Sequence, residues 1–166
     1  MKILGCVFII SACSFFGFFK AIALKKRCRN LLELKMVLES LKVHIGFLKE
    51  NLGSALILAS KNHTVFKLFK DCSDSLINSG IDEAWAKSLN KNKVSFCFTD
   101  EDLNILKKFS KELGKTDSKN QIRHLDFISE LISQLYLKAD NDLKNKYTVY
   151  SSMGVVIGSF LVLLLI

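Results

Sequence analysis

The chain has 166 residues, 49% of them hydrophobic, and its 24 basic residues outnumber 16 acidic ones to give a net charge of +8. That length suits one modest domain, and high apolarity joined to surplus positive charge points to a membrane-bound protein. Proline is absent, which favours long helices because proline costs about 3 kcal/mol in a helix interior. The five cysteines form no CxxC pair, which argues against a disulfide framework or a zinc site and fits free thiols in a reducing compartment.

The first element predicted is a transmembrane helix over residues 1–24. No charge falls between Ile3 and Phe19, and Ala21 to Leu24 extend the run past Lys20, which can snorkel at its edge. A cleaved signal peptide carries its positive charge ahead of the apolar run. Here one lysine precedes it, and Lys20, Lys25, Lys26, Arg27 and Arg29 follow. Ile10-Ser11-Ala12-Cys13 resembles a lipobox, yet SFFGFF after it would leave a hydrophobic start instead of a polar tether. The last element, residues 148–166, is uncharged over 19 residues and predicts a second span. Lys25, Lys26, Arg27 and Arg29 after the first span, and Lys138, Lys144 and Lys146 before the second, predict that residues 25–147 stay in the cytoplasm.

The cytoplasmic segment reads as all-α. Leu31, Leu34, Leu38, Leu41, Ile45, Leu48 and Leu52 alternate by threes and fours, a seam that predicts a helix packed within the bundle. A second helix is expected over Thr64–Asn78, stopped by Gly80. A short one over Asp82–Lys91 follows, with Asp82 as its N-cap and Trp85 and Leu89 inside. Asn90 to Lys93 read as a loop, and VSFCF at 94–98 as a buried extended connection. Thr99-Asp100-Glu101-Asp102 is a capping box, which accounts for all three carboxylates without a catalytic pair. Its helix is expected to run to Leu113 and end at Gly114. The final helix carries Leu125, Ile128, Ile132, Leu135 and Ala139 on one stripe and continues into the second span. The whole predicts a cytoplasmic bundle, about five to six helices in all, between an N-terminal and a C-terminal transmembrane helix.

Gly114-Lys115-Thr116 has the look of a phosphate-binding loop. Such a loop needs a glycine five residues before Gly114, where Phe109 stands, and a preceding strand. Nucleotide binding is therefore rejected. Gly114 instead reads as a left-handed helix stop, and Thr116 or Asp117 as the cap of the next helix, with Asn120 and Gln121 in its first turn.

The opening KILGCVFIISACSFFGF, the leucine-spaced Arg27–Leu52 helix, AWAKSL at 84–89 and DEDLNILKKFSKELGKTDSKNQ at 100–121 resemble the stage III sporulation protein AB family over essentially the whole chain. The longest block carries Leu106, Phe109, Leu113, Gly114, Asp117 and Gln121 in matching order. Where the family usually has an acidic step and a proline turn, this chain has His44 and Asn51. The resemblance implies a non-enzymatic, membrane-anchored platform or scaffold subunit of a secretion-like channel complex between mother cell and forespore, required for endospore formation. Such a component is similar to the cytoplasmic domains of inner-membrane platform proteins in type II secretion and type IV pilus systems. It would dock or couple the stage III sporulation ATPase AA, alongside other stage III membrane proteins, at the outer forespore membrane with its bundle in the mother-cell cytoplasm.

The residues also argue against an enzyme. His44, His63 and His124 lie in separate elements without metal spacing, and no serine stands in a nucleophile elbow. No cofactor, small-molecule substrate or nucleic acid is expected, since topology and anionic lipid account for the juxtamembrane charge. The remaining cations, Lys107, Lys108, Lys111, Lys115, Lys119 and Arg123, gather around the Gly114 turn and read either as a docking face for an acidic partner or as a solvated helix end. The competing reading is a membrane-bound regulatory adaptor unrelated to secretion.

Overall fold

The computed structural model describes residues 2–165, the side chains of residues 2–4, 6, 7, 9, 10, 155, 164 and 165 excepted. Met1 and Ile166, the outermost residues of the predicted spans, and the Cys6 side chain lie outside that description. Among the described residues there are six α-helices and no strand: α1 Lys2–Gly46, α2 Leu52–Ser60, α3 Phe66–Ser75, α4 Ile81–Phe96, α5 Asp100–Leu106 and α6 Ser118–Leu165. They divide into two compact units, one made of residues up to Cys28 and from Lys138 onward, the other of Arg29–Leu137.

The Arg29–Leu137 unit is a helical bundle. Leu31, Leu34, Leu38, Leu41 and Ile45 of α1 are all buried, as are Leu125, Ile128, Ile132 and Leu135 of α6. Each such side chain contributes roughly 1.5–3 kcal/mol relative to exposure. Polar pairs set the antiparallel register of the two helices. Lys35 Nζ donates to Ser133 at 3.0 Å, Ser129 donates to Glu39 at 2.9 Å, and Lys42 meets Asp126 at 2.6 Å. A Cβ at Gly46 would come within 2.7 Å of the Ile122 side chain, so the glycine admits the close approach.

The seam stops earlier than its spacing predicts. α1 ends at Gly46, and Leu48 is exposed. The Leu48 and Glu50 amides reach back to the carbonyls of Val43 and His44, Lys49 is left-handed at φ 52, and His44 holds Glu50 at 2.9 Å. Asn51 then accepts from the Ser54 amide at 2.9 Å as the N-cap of α2, a helix the spacing does not foretell. α3 is shorter than expected, Phe66–Ser75 in place of Thr64–Asn78, with turns on either side.

α4 overturns two expectations. Asn90–Lys93 are helical, and VSFCF is helical to Phe96, so no loop or extended connection exists there. The reason is tertiary: Asp71 of α3 accepts from Lys91 Nζ at 2.7 Å and from Asn92 Nδ2 at 2.7 Å, which holds a polar segment in helix. Cys97 closes α4 in the left-handed region at φ 58. Gly80 occupies the N-cap position in place of Asp82, which sits in the first turn.

The capping box forms as predicted. Thr99 Oγ1 accepts from the Asp102 amide at 3.3 Å, and buried Asp102 accepts from the Thr99 amide at 2.8 Å. α5, however, ends at Leu106, not at Gly114. Residues 107–113 form successive tight turns, Phe109 N to Leu106 O and Leu113 N to Ser110 O among them. Side chains from elsewhere supplement these turns. Trp85 Nε1 donates to Leu106 O at 2.6 Å, and His124 Nε2 lies 2.9 Å from Lys108 O. Trp85 also packs on Phe109 and Phe69, with ring centres 4.4 and 5.4 Å away, to form the hub of the core.

In the other unit α1 and α6 run antiparallel. A Cβ at Gly154 would lie within 2.7 Å of Ser14 Cα, and one at Gly17 would run into the Tyr150 carbonyl oxygen, so small residues carry the crossing. Arg27 is buried and lies 3.6 Å from Asp142, which also holds Lys146 at 2.6 Å. By length and composition α6 is long and apolar enough to cross a membrane.

Candidate functional site

Gly114, Asp117 and Gln121 meet in one turn between α5 and α6. Gly114 is left-handed at φ 69, a conformation that glycine adopts without steric cost. Asp117 stands just before α6. Its carbonyl accepts from the Gln121 amide at 3.0 Å, and its carboxylate accepts from Asn120 Nδ2 at 2.5 Å. The Gln121 side chain then clamps the turn from both sides. Its Oε1 accepts from the Gly114 amide at 3.1 Å, and its Nε2 donates to Thr116 O at 2.6 Å. Thr116 is not the cap, since its hydroxyl donates to Glu112 O.

The six predicted docking cations all flank this turn, and all are exposed. Only Lys115 is engaged in an ion pair: it meets Asp82 at the start of α4. The hydrogen bond from Lys115, reinforced by one from Ser110, holds the Asp82 carboxyl below its usual range. Lys107, Lys108, Lys111, Lys119 and Arg123 have no carboxylate at salt-bridge distance among the described residues. From 107 to 123 there are six basic residues against two acidic ones, so the surface is strongly cationic. A cleft of 250 Å³ opens beneath, lined in part by Lys49, Glu50, Gly114 and Gln121.

The geometry also disposes of the phosphate-loop reading, since the Lys115 ammonium is aimed at Asp82 and the turn joins two helices. His44 and His63 contact Glu50 and Glu33, while His124 reaches backbone carbonyls, so the three stay apart. No group of metal-ligating side chains gathers among the described residues. Of the basic residues after the first predicted span, Lys25, Lys26 and Arg29 are exposed and Arg27 is buried against Asp142. Sequence reasoning names the clamp residues but misses the clamp itself and the anchoring Asp82. The signal lay in the seven-residue spacing of Gly114 and Gln121, which brings a first-turn side chain back over the helix entry.

Fold and turn together define a class: a small all-α protein whose first and last helices are its longest, with a rigid basic turn on its bundle. The model of the stage III sporulation protein AB family matches residues 2–166, and the chain belongs to that family. A curated relative, stage III sporulation protein AB of Bacillus subtilis (strain 168), is 29% identical over 170 residues and is matched over 99% of both chains. A solved structure of stage III sporulation protein AB (SpoIIIAB) has the same fold, with a TM-score of 0.65 at 24% identity, over 71% of this chain and 96% of its own. The family places the chain in sporulation.

Proposed function

We propose that this chain is a non-enzymatic, membrane-anchored platform subunit of the stage III sporulation machinery, and that its basic turn docks or couples the cognate secretion-type ATPase. The observation that carries the reading is the clamped cationic turn. Five exposed cations, without an ion-pair partner among the described residues, surround a loop whose shape is set by Gln121. A surface of that kind steers and orients an acidic partner.

Two spans anchor the subunit in this reading, with the bundle in the mother-cell cytoplasm at the outer forespore membrane. Phe8, Phe15, Phe16 and Phe19 on α1, and Val156, Phe160 and Leu163 on α6, are exposed. Such a continuous apolar belt calls for lipid around it. Leaving out Lys2, which lies beyond the first span, the unit that bears it has seven basic residues against two acidic ones, the balance that a cytoplasmic membrane border favours.

The test is co-purification of detergent-solubilised protein from sporulating cells. The wild-type chain is expected to bring the stage III ATPase with it. The triple variant K107E/K108E/K111E is expected to lose it while keeping its helical circular dichroism. Unchanged recovery by the triple variant removes the docking face. Steady recovery of other partners without any ATPase turns the reading to a regulatory adaptor.

A further inference from the structure

The Gly17–Gly154 crossing leaves a cleft of 470 Å³ on one side of the α1/α6 pair. It is lined chiefly by Phe16, Gly17 and Lys20 of α1 and by Met153, Gly154 and Ile157 of α6. The cleft follows from the crossing: glycines that bring two backbones together have no side chains to fill the flank. Its wall is apolar except at one end, where Lys20 is the sole charged residue lining it. The Lys20 ammonium lies 5.9 Å from the Phe16 ring centre and has no carboxylate at salt-bridge distance among the described residues. Both acids of this unit are already answered: Lys144 pairs with Asp140 and Lys146 with Asp142, each at 2.6 Å. Neither acid is at salt-bridge distance from Lys20.

We propose that this cleft seats one anionic phospholipid of the surrounding bilayer, with an acyl chain along Phe16, Met153 and Ile157 and its phosphate on Lys20. The proposal rests on the two-span reading, which puts Ile3–Phe19 in the hydrocarbon and Lys20 at its border. An apolar slot with a single cation at its mouth matches a lipid at both ends, whereas a soluble anion would use only the lysine. Charge selects the headgroup, and slot shape selects a chain over bulk contact.

Quenching by brominated lipid tests it in the full-length chain. Phe16→Trp places a reporter in the cleft, and Met153→Trp a second from the facing helix. Phe18→Trp reports lipid outside it, and the parent chain with Trp85 alone gives the baseline. Each is reconstituted in phosphatidylcholine vesicles carrying a minority of either brominated phosphatidylglycerol or brominated phosphatidylcholine. Brominated phosphatidylglycerol is expected to quench the two cleft reporters about fivefold more effectively per mole than brominated phosphatidylcholine. The Phe18→Trp chain should show no preference. Adding Lys20→Gln to the Phe16→Trp chain should abolish the preference there, and adding K25Q/K26Q should leave it. Equal quenching of the Phe16→Trp chain by the two lipids overturns the seat. So does a preference shared by the Phe18→Trp chain, or one that survives Lys20→Gln. Absence of quenching at every reporter overturns the two-span reading itself, a different failure.

Discussion

At Gln121 one side chain replaces two backbone contacts. It takes the Gly114 amide and returns a donor to Thr116 O, so truncation orphans both. Gln121→Ala is expected to cost about 0.5–1.5 kcal/mol and to lower the thermal midpoint of the detergent-solubilised chain. Gln121→Glu keeps the acceptor but loses the donor, and should fall between wild type and alanine; a midpoint at the wild-type value for the alanine variant would remove the clamp. Gly114→Ala should cost about 1–2 kcal/mol, because the alanine Cβ is strained at φ 69 and meets Leu52 Cδ2 at 3.2 Å. Titration acts on the same scale. Burial raises the Asp71 carboxyl, but hydrogen bonds from Asn92 and Lys91 outweigh it and leave the group below its usual range; Asp82 is lowered by Lys115 and Ser110. A carboxylate with a depressed folded value stabilises the fold above its unfolded value of about 4 and loses that contribution as pH falls through the folded one. The thermal midpoint should therefore drop on acidification from about pH 5 to about pH 3, and Asp71→Asn should flatten that drop. A midpoint that does not move over that interval in the wild-type chain would contradict the assignment.

Among elements, the helices were legible where an apolar stripe or a cap spoke for them and illegible where a distant partner decided. The buried leucines from Leu31 to Ile45 announce α1, and Thr99 with Asp102 announces α5, because both signals are local. Asn90–Lys93 carry the polar signature of a loop, yet Asp71, some twenty residues earlier in the chain, makes them helix. α2 was hidden for the opposite reason. Leu48 and Leu52 sit at seam spacing, and only the left-handed Lys49 and the Asn51 cap reveal that the chain has turned between them. The site was half legible: its residues follow from helix-stop and cap chemistry and from the family resemblance, the clamp from contacts no spacing displays. The Trp85 hub shows how one such contact ends an element. With Leu106 O held by the indole, the chain leaves α5 for tight turns. Trp85→Phe keeps the ring stack but removes that donor, and is expected to cost about 1–2 kcal/mol in urea unfolding followed by circular dichroism. Trp85→Ala should cost about 3–5 kcal/mol. Equal losses for the two variants would mean that the hydrogen bond decides and packing does not.

For the whole molecule, positive charge is shared unevenly between the two units. Of the net +8, the unit formed by the two chain ends holds +6, eight basic residues against two acidic, and the bundle of Arg29–Leu137 holds the other +2, sixteen against fourteen. A bundle so nearly balanced needs no bilayer to explain it, while the end unit combines cations with exposed phenylalanines and fits an interface. The two apolar runs would then cross the bilayer, with Lys2 and Lys119 on opposite sides of it. Single-cysteine chains distinguish this arrangement from a peripheral one. In a background with the native cysteines replaced by serine or alanine, and with the chain produced in vegetative cells so that it sits in the plasma membrane, Lys119→Cys on the basic turn should resist a membrane-impermeant maleimide in intact protoplasts and react fully once they are permeabilised. Lys2→Cys should react before permeabilisation, since it lies beyond the first uncharged run. Protection of both sites until permeabilisation would place the N-terminus inside and break the hairpin topology. Early reaction at Lys119→Cys would invert it, and would set the basic turn on the side of the membrane where no cytoplasmic ATPase could reach it.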